Sequence, residues 1–184
     1  FTPSNDGTLV LGDASDDTLT FNGGVNEQTT GTVTLSGSIV SSDDAITFGA
    51  ITLGTDTTLT SAGGAITTGN ITGSSSEDIT ITSTGGSTNT ATVSGTIGSG
   101  NNINTIAITG STSVSLGGNI DTNDAAGNTV AITGATIDFN NITIDTDNTN
   151  NDGNVTLTHN TPQDAVTINA GTGGIVQLTP LTTS

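Results

Sequence analysis

Three columns of aliphatic residues advance through this chain by one shared step. In the stretch 44–73, DAITFGAITLGTDTTLTSAGGAITTGNITG, Ile46 and Ile66 stand 20 residues apart, as do Ile51 and Ile71, and Leu59 and Ile79. Within each short run the apolar residues fall two apart, Ile46 with Phe48 and Ile51 with Leu53, with Thr or Gly between them. That is the period of a strand with one buried face, and no run is long enough for a helix. A step common to several strands is what a solenoid requires, because each coil sets its side chains above those of the coil beneath. The expectation is an all-β chain, a parallel β-solenoid of about seven to eight coils, forming a single domain over 1–184 with less regular end coils at 1–30 and 160–184. An antiparallel β-sandwich is the alternative, since it also yields short alternating strands. It does not require three columns to move in step.

Along the chain, 8–11 and 18–21 read as strands, and the polar segment 22–30, with Gly23 and Gly24, reads as a loop. Ile39 lies 20 residues before Leu59. After Gly73 the coils lengthen. Ile81 matches Ile106 at 25 residues, Ile108 matches Ile132 at 24, and Ile132 matches Leu157 at 25. Val114 and Leu116 match Ile137 and Phe139 at 23, and a further column runs Ile97, Ile120, Ile142. The added residues are polar, so corners absorb them while strands keep step. Pro162 and Pro180 interrupt the last coil.

Composition narrows the function classes. Hydrophobic residues are 30% and aromatic residues 2% of the chain, enough for a thin core of stacked Ile, Val and Leu but not for a thick globular one. Abundant Thr, Ile and Val at strand spacing argue against disorder. There is no Lys or Arg against 17 Asp and Glu, a formal charge of −17. Nucleic acid is therefore excluded as a partner, because phosphate contacts need cationic side chains. An anionic membrane surface is disfavoured likewise, and no stretch approaches the roughly 18 apolar residues that membrane insertion needs. Metal cations or a basic partner remain as counter-charge. Without Cys there is neither a disulfide nor a thiolate metal site. A chain that starts at Phe1 and contains no Met reads as a processed product or an excerpt.

The phrases GTVTLSGSI (31–39), DAITFGAITLG (44–54), GGAITTGNITG (63–73) and NTVAITGATIDF (128–139) resemble the repeats of filamentous haemagglutinin-like proteins, large surface adhesins of bacteria. The resemblance runs from about residue 31 to 160 and is one of repeat grammar. It implies a right-handed parallel β-helix, secretion to the bacterial cell surface, and a role in adhesion to a host or matrix surface or in fibre formation. It carries no catalytic residues over.

Some β-helix proteins cleave polysaccharides, so the acidic pairs Asp16 with Asp17 and Asp43 with Asp44 were weighed as general acids. They sit at strand boundaries, where Asp is a common turn residue. A proton-abstracting Arg is absent, and His159, the one histidine, lacks a nucleophile partner and reads as an exposed corner residue. The expectation is that the protein is not an enzyme and uses no cofactor, with calcium as the one ion to consider. Asp145, Asp147, Asn148, Asn150 and Asp152 form an acidic corner in which Asn148, Asn150, Asp152 and Gly153 match positions 1, 3, 5 and 6 of a calcium loop. Position 12 is His159 instead of the bidentate Glu, so the match is partial. Asn70, Asn141 and Asn154 satisfy the glycosylation pattern, but each opens a strand, where Asn can instead form stacked amide hydrogen bonds.

The reading is an extracellular structural protein, a segment or subunit of a surface filament or adhesin. The alternatives are a carbohydrate- or calcium-binding module and a strand-exchanged, pilin-type subunit. Neither end shows a capping helix, and 175–180 carries no charge, so head-to-tail self-association along the axis is expected. Charge makes a separate prediction. Thermal stability should rise as salt shortens the Debye length from about 30 Å at 0.01 M to about 8 Å at 0.15 M. Melting curves in NaCl, and in CaCl2 against MgCl2 at matched ionic strength, check this. An advantage of calcium over magnesium would mark the 145–152 corner as a cation site.

Overall fold

A computed structural model describes residues 1–4, 6–28, 31–100, 103–123, 129–147 and 152–180. Among these there is no helix, and the chain winds as a parallel β-solenoid of about seven turns. The first coil is β1 (Leu9–Leu11), β2 (Thr18–Thr20) and β3 (Val25–Glu27). The second holds β4 (Val33–Ser41) and β5 (Ile46–Phe48), and the third β6 (Ile51–Ser61) and β7 (Ile66–Thr68). Then come β8 (Ile71–Gly73), β9 (Glu77–Ser83) and β10 (Thr90–Val93), followed by β11 (Ile103–Leu116). The last coils are β12 (Ile120–Asp121) and β13 (Thr129–Asp138), then β14 (Ile142–Asp145), β15 (Asn154–Thr158) and β16 (Thr161–Gln163), then β17 (Val166–Asn169) and β18 (Val176–Thr179).

Stacking sorts these strands onto three faces. β1, the starts of β4 and β6, β8, the bridging residue Ile97, β12, β14 and β17 form the first. The second runs from β2 through the ends of β4 and β6 to β9, the starts of β11 and β13, β15 and β18. The third is β3, β5, β7, β10, the ends of β11 and β13, and β16. Strands alternate buried and half-exposed positions, as in β9 and β14. The inward residues build one continuous core column per face, such as Ile39, Leu59, Ile81, Ile108, Ile132 and Leu157 on the second.

The pairings Ile46 with Ile66 and Ile51 with Ile71 are those of the 20-residue step, and Ile108 with Ile132 and Ile132 with Leu157 also pair as expected. Other registers differ. Leu59 stacks on Ile81, and the partner of Ile79 is Thr57, so this step is 22 residues. Two residues are taken up in the turn before β9. There the Glu77 carboxylate folds back to accept the backbone N–H groups of Ser74 and Ser75 at 2.8 and 2.9 Å and the Ser74 hydroxyl at 2.6 Å. Burial would push the Glu77 carboxyl up, but these donors outweigh it and hold its pKa below the ordinary value. Thr57 can occupy an inward place because its hydroxyl donates to the Leu35 and Thr55 carbonyls. One coil on, Ile81 stacks on Ile108 and Ile79 on Ile106, since β11 carries a register shift between Ile103 and Ile106. Segment 22–30 is not all loop either. Val25–Glu27 is β3, paired in register with β5, and its inward Val25 and Glu27 are buried.

Polar side chains brace the corners. Ser41, Ser61 and Ser83 stack in register and point inward. The Ser61 hydroxyl donates to the Asp44 carbonyl and accepts the Gly64 N–H, and Ser83 donates to the Gly64 carbonyl. Gly37, with φ of 72°, turns β4 from the first face to the second, where a Cβ would collide with the Asp17 carbonyl oxygen. Pro162 fits because β16 pairs on one side only.

Core and surface substitutions on one strand should therefore separate sharply. Ile108→Ala removes a link between Ile81 and Ile132 and should cost about 2–5 kcal/mol, whereas outward Thr109→Ala should stay within about 0.5 kcal/mol. Urea unfolding of the two variants checks the difference.

Candidate functional site

Two features stand out from the regular coil stack, an acidic cluster on the first face and the open edge of the last coil. The first arises from register. Parallel pairing of β12, β14 and β17 puts Ile120 on Ile144 and Ile168 inside, and therefore Asp121, Asp145 and Asn169 in one outward column. The match expected from sequence, Ile120 with Ile142, is shifted by two residues, because Ile142 pairs with Val166. That shift hid Asp121 as a neighbour of Asp145. The signal was present as the shared 24-residue spacing of Ile120 with Ile144 and Asp121 with Asp145.

Two carboxylates one strand spacing apart, about 4.8 Å, repel each other. Burial first, and the Asp145 charge second, raise the pKa of Asp121 above its ordinary value. Asp145 has its own compensation. Its Oδ1 accepts the Asp147 backbone N–H and the Asn169 side-chain amide, both at 3.1 Å. Asp147 and Asp152 form an isolated antiparallel bridge, and the Asp152 carboxylate accepts the Gly173 N–H and, at 3.5 Å, the Thr172 hydroxyl. Of the residues expected to form a calcium corner, Asp145, Asp147 and Asp152 thus come together, while Asn148 and Asn150 lie outside the described residues. Among the described residues no group of three or more His, Asp or Glu side chains is set to hold a metal ion. Asp145 and Asp152 use carboxylate oxygens to fasten this corner to the next coil.

Of the remaining sequence candidates, Asp17, Asn70 and Asn154 are also braces, and Asp56 and Asp78 act in the same way. Asp17 accepts the Asp13 and Ala14 N–H groups, and these bonds lower its pKa. The Asp56 carboxylate accepts the Asp78 N–H from the coil above, and Asp78 accepts that of Thr105. Asn70 and Asn154 do the same for Thr96 and Ile175 through their side-chain carbonyls. His159 is half-buried instead of exposed, with its N–H donating to the Thr179 carbonyl and its Nδ1 buried without a hydrogen-bond partner.

The second feature is the end of the stack. Among the described residues β17 and β18 pair only with the coil beneath. Leu178 stands in the same column as Leu157 yet is 64% exposed against 1%, and Ile175 is 63% exposed. At the other end the chain start partly covers the first coil. The Phe1 amino group donates to the Gly24 carbonyl, the Phe1 carbonyl accepts the Asn26 N–H, and the Phe1 ring lies 5.0 Å from that of Phe21. This covering, absent from the sequence reading, also borders a cleft of about 390 Å3 with Gln28, Asp44 and Thr47.

The fold defines the protein as a parallel β-solenoid. No family model, curated protein or solved structure matches the chain.

The Asp121 and Asp145 pair carries a pH prediction. A raised folded-state pKa means that ionised Asp121 opposes folding above that pKa, and that the penalty fades as pH falls through it toward the unfolded value near 3.9. Asp121→Asn should therefore stabilise the fold at pH 7, by no more than about 1 kcal/mol because the site is partly exposed and screened, and raise the melting temperature accordingly. The gain should vanish below about pH 4, as paired melting curves across pH would register.

Proposed function

We propose that the protein is a structural β-solenoid unit of an extracellular filament or adhesin at a bacterial cell surface, associating end to end along its axis. The observation that carries this reading is the open last coil. Its inner column continues into exposed Leu178, and its backbone edge has no partner among the described residues. The first coil offers the matching surface. Among the described residues β1 and β2 pair only with β4, Val10 is 56% exposed, and Leu19 heads the same column that Leu178 ends. Stacking β18 on β2 of a second copy would prolong the second face as another coil does.

Magnitudes set the strength of such a joint. Burying Ile175, Val176 and Leu178 is worth roughly 1.5–3 kcal/mol each, against an association cost of about 4–15 kcal/mol. Apolar burial alone leaves the joint weak, and strand pairing on more than one face supplies the rest. Contact between two different ends does not close, so it yields an open fibre. The carboxylates lie on corners and sides, where like charge opposes sideways clumping.

Sedimentation velocity and negative-stain microscopy over a concentration series test this. The expected outcome is a ladder of rods one solenoid wide, reverting to single rods in the double variant Ile175→Lys, Leu178→Lys. A wild-type chain that stays monomeric at every concentration defeats the reading.

A further inference from the structure

The second face carries a regular array of threonines. In-register pairing lines up Thr60, Thr82, Thr109, Thr133 and Thr158 in one outward column, one per coil. Thr20 and Thr179 extend it at either end, and Val40 is its one break. Two residues back along each strand a second column contains Thr18, Thr58, Thr80 and Thr156, with Ser38, Ala107 and Ala131 as small members and Gln177 at its end. The motif on the strands is thus Thr, inward aliphatic, Thr: TLT at 18–20, 58–60 and 156–158, TIT at 80–82.

Three further observations distinguish this face. Its two columns contain no Asp or Glu, although the chain has 17 of them and no Lys or Arg. The other faces differ: the first places Asp121, Asp145 and Asn169 in its outward column, and the third ends its Thr47, Thr67, Thr92 column on Ser115 and Asp138. The register within the columns is unbroken from β2 to β18, because the shifts in β4 and β11 fall at the corners. Finally, the hydroxyl pairing of Thr52 with Thr72 on the first face, at 3.3 Å, has no counterpart among the described threonines of these columns. These threonines are half-exposed or exposed, and no hydrogen bond engages their hydroxyls.

We infer that this face binds ice. Neighbouring coils repeat at about 4.8 Å and alternate residues along a strand at about 6.6 Å. These two repeats, at right angles, are close to those of the water oxygens along the a and c axes of hexagonal ice. Threonine suits such a lattice because it presents a hydroxyl beside a methyl, and its β-branched side chain is stiff at χ1. Stacked neighbours restrict it further, so little freedom is lost on docking. An ice surface is uncharged, and a carboxylate within the array would keep its own hydration shell. The exclusion of charge from these two columns of a chain at −17, with Asp78 lying just outside them at the strand start, is therefore what an ice-binding surface needs. The inference does not depend on end-to-end association.

Nanolitre osmometry with ice itself as the probe is the test, supported by an ice-recrystallisation assay. The wild-type chain should shape ice crystals and hold their growth point below the melting point. Thr82→Tyr combined with Thr109→Tyr, in mid-array, should abolish that gap with an unchanged circular dichroism spectrum. Thr67→Tyr on the third face should retain it. Equal growth and melting points for the wild type overturn the inference, as does a gap that survives the mid-array variant or is lost equally with Thr67→Tyr. Sedimentation with crystalline cellulose but no effect on ice growth would likewise overturn it and assign the flat array to a polysaccharide surface.

Discussion

The parallel backbone ladder between consecutive coils is the interaction on which everything else in this protein rests. Each strand hydrogen-bonds the equivalent strand of the coil below, and that pairing is also what puts aliphatic on aliphatic inside and threonine on threonine outside. A solenoid has no second sheet to pack against on its outer side. Burial is one-sided and thin, so the ladder and the inner columns have to act together. Ile97 shows how little is required of a single coil, since one bridging residue between Ile71 and Ile120 maintains the first face where no strand forms.

Charge is arranged around that ladder. A chain with no Lys or Arg cannot answer a carboxylate with a side-chain cation, and here backbone N–H groups take that role. Glu77 folds onto Ser74 and Ser75, Asp17 onto Asp13 and Ala14, and Asp56 and Asp78 each reach one coil up the stack. A carboxylate accepting N–H donors is stabilised in its charged form, so acidic residues pin corners where a neutral side chain would bind more weakly. Asp121 is the exception, half-buried beside Asp145, and its proton is held more tightly for that reason.

The same geometry separates the faces by chemistry. Corners vary in length and take the acidic and glycine residues, while the second face keeps two outward columns of fixed register. Ends and faces therefore offer different surfaces: backbone edge and exposed Leu178 at the end, uncharged hydroxyl and methyl on the side, carboxylates at the corners.

Much of the fold was legible because a strand's two-residue period and a coil's repeat are both written directly into the order of residues. Ile46 with Ile66 and Ile108 with Ile132 follow from spacing alone. The corners were not legible. Whether Leu59 stacks on Ile79 or Ile81 depends on how many residues the Glu77 turn takes up, and that turn is fixed by hydrogen bonds from Ser74 and Ser75. The pairing of Asp121 with Asp145 was concealed by the same ambiguity, since a shift of two residues keeps every aliphatic inward and satisfies the pattern equally well. So did β3, whose VNE sequence buries Glu27 under the Phe48 position and lacks the aliphatic alternation of its neighbours. The sequence by itself determined that strands form, which side of each is buried and roughly how long a coil is, because these depend on side-chain period and burial. Only the tertiary structure decided the register across each corner, and with it which outward residues become neighbours, because corner geometry is set by contacts between coils.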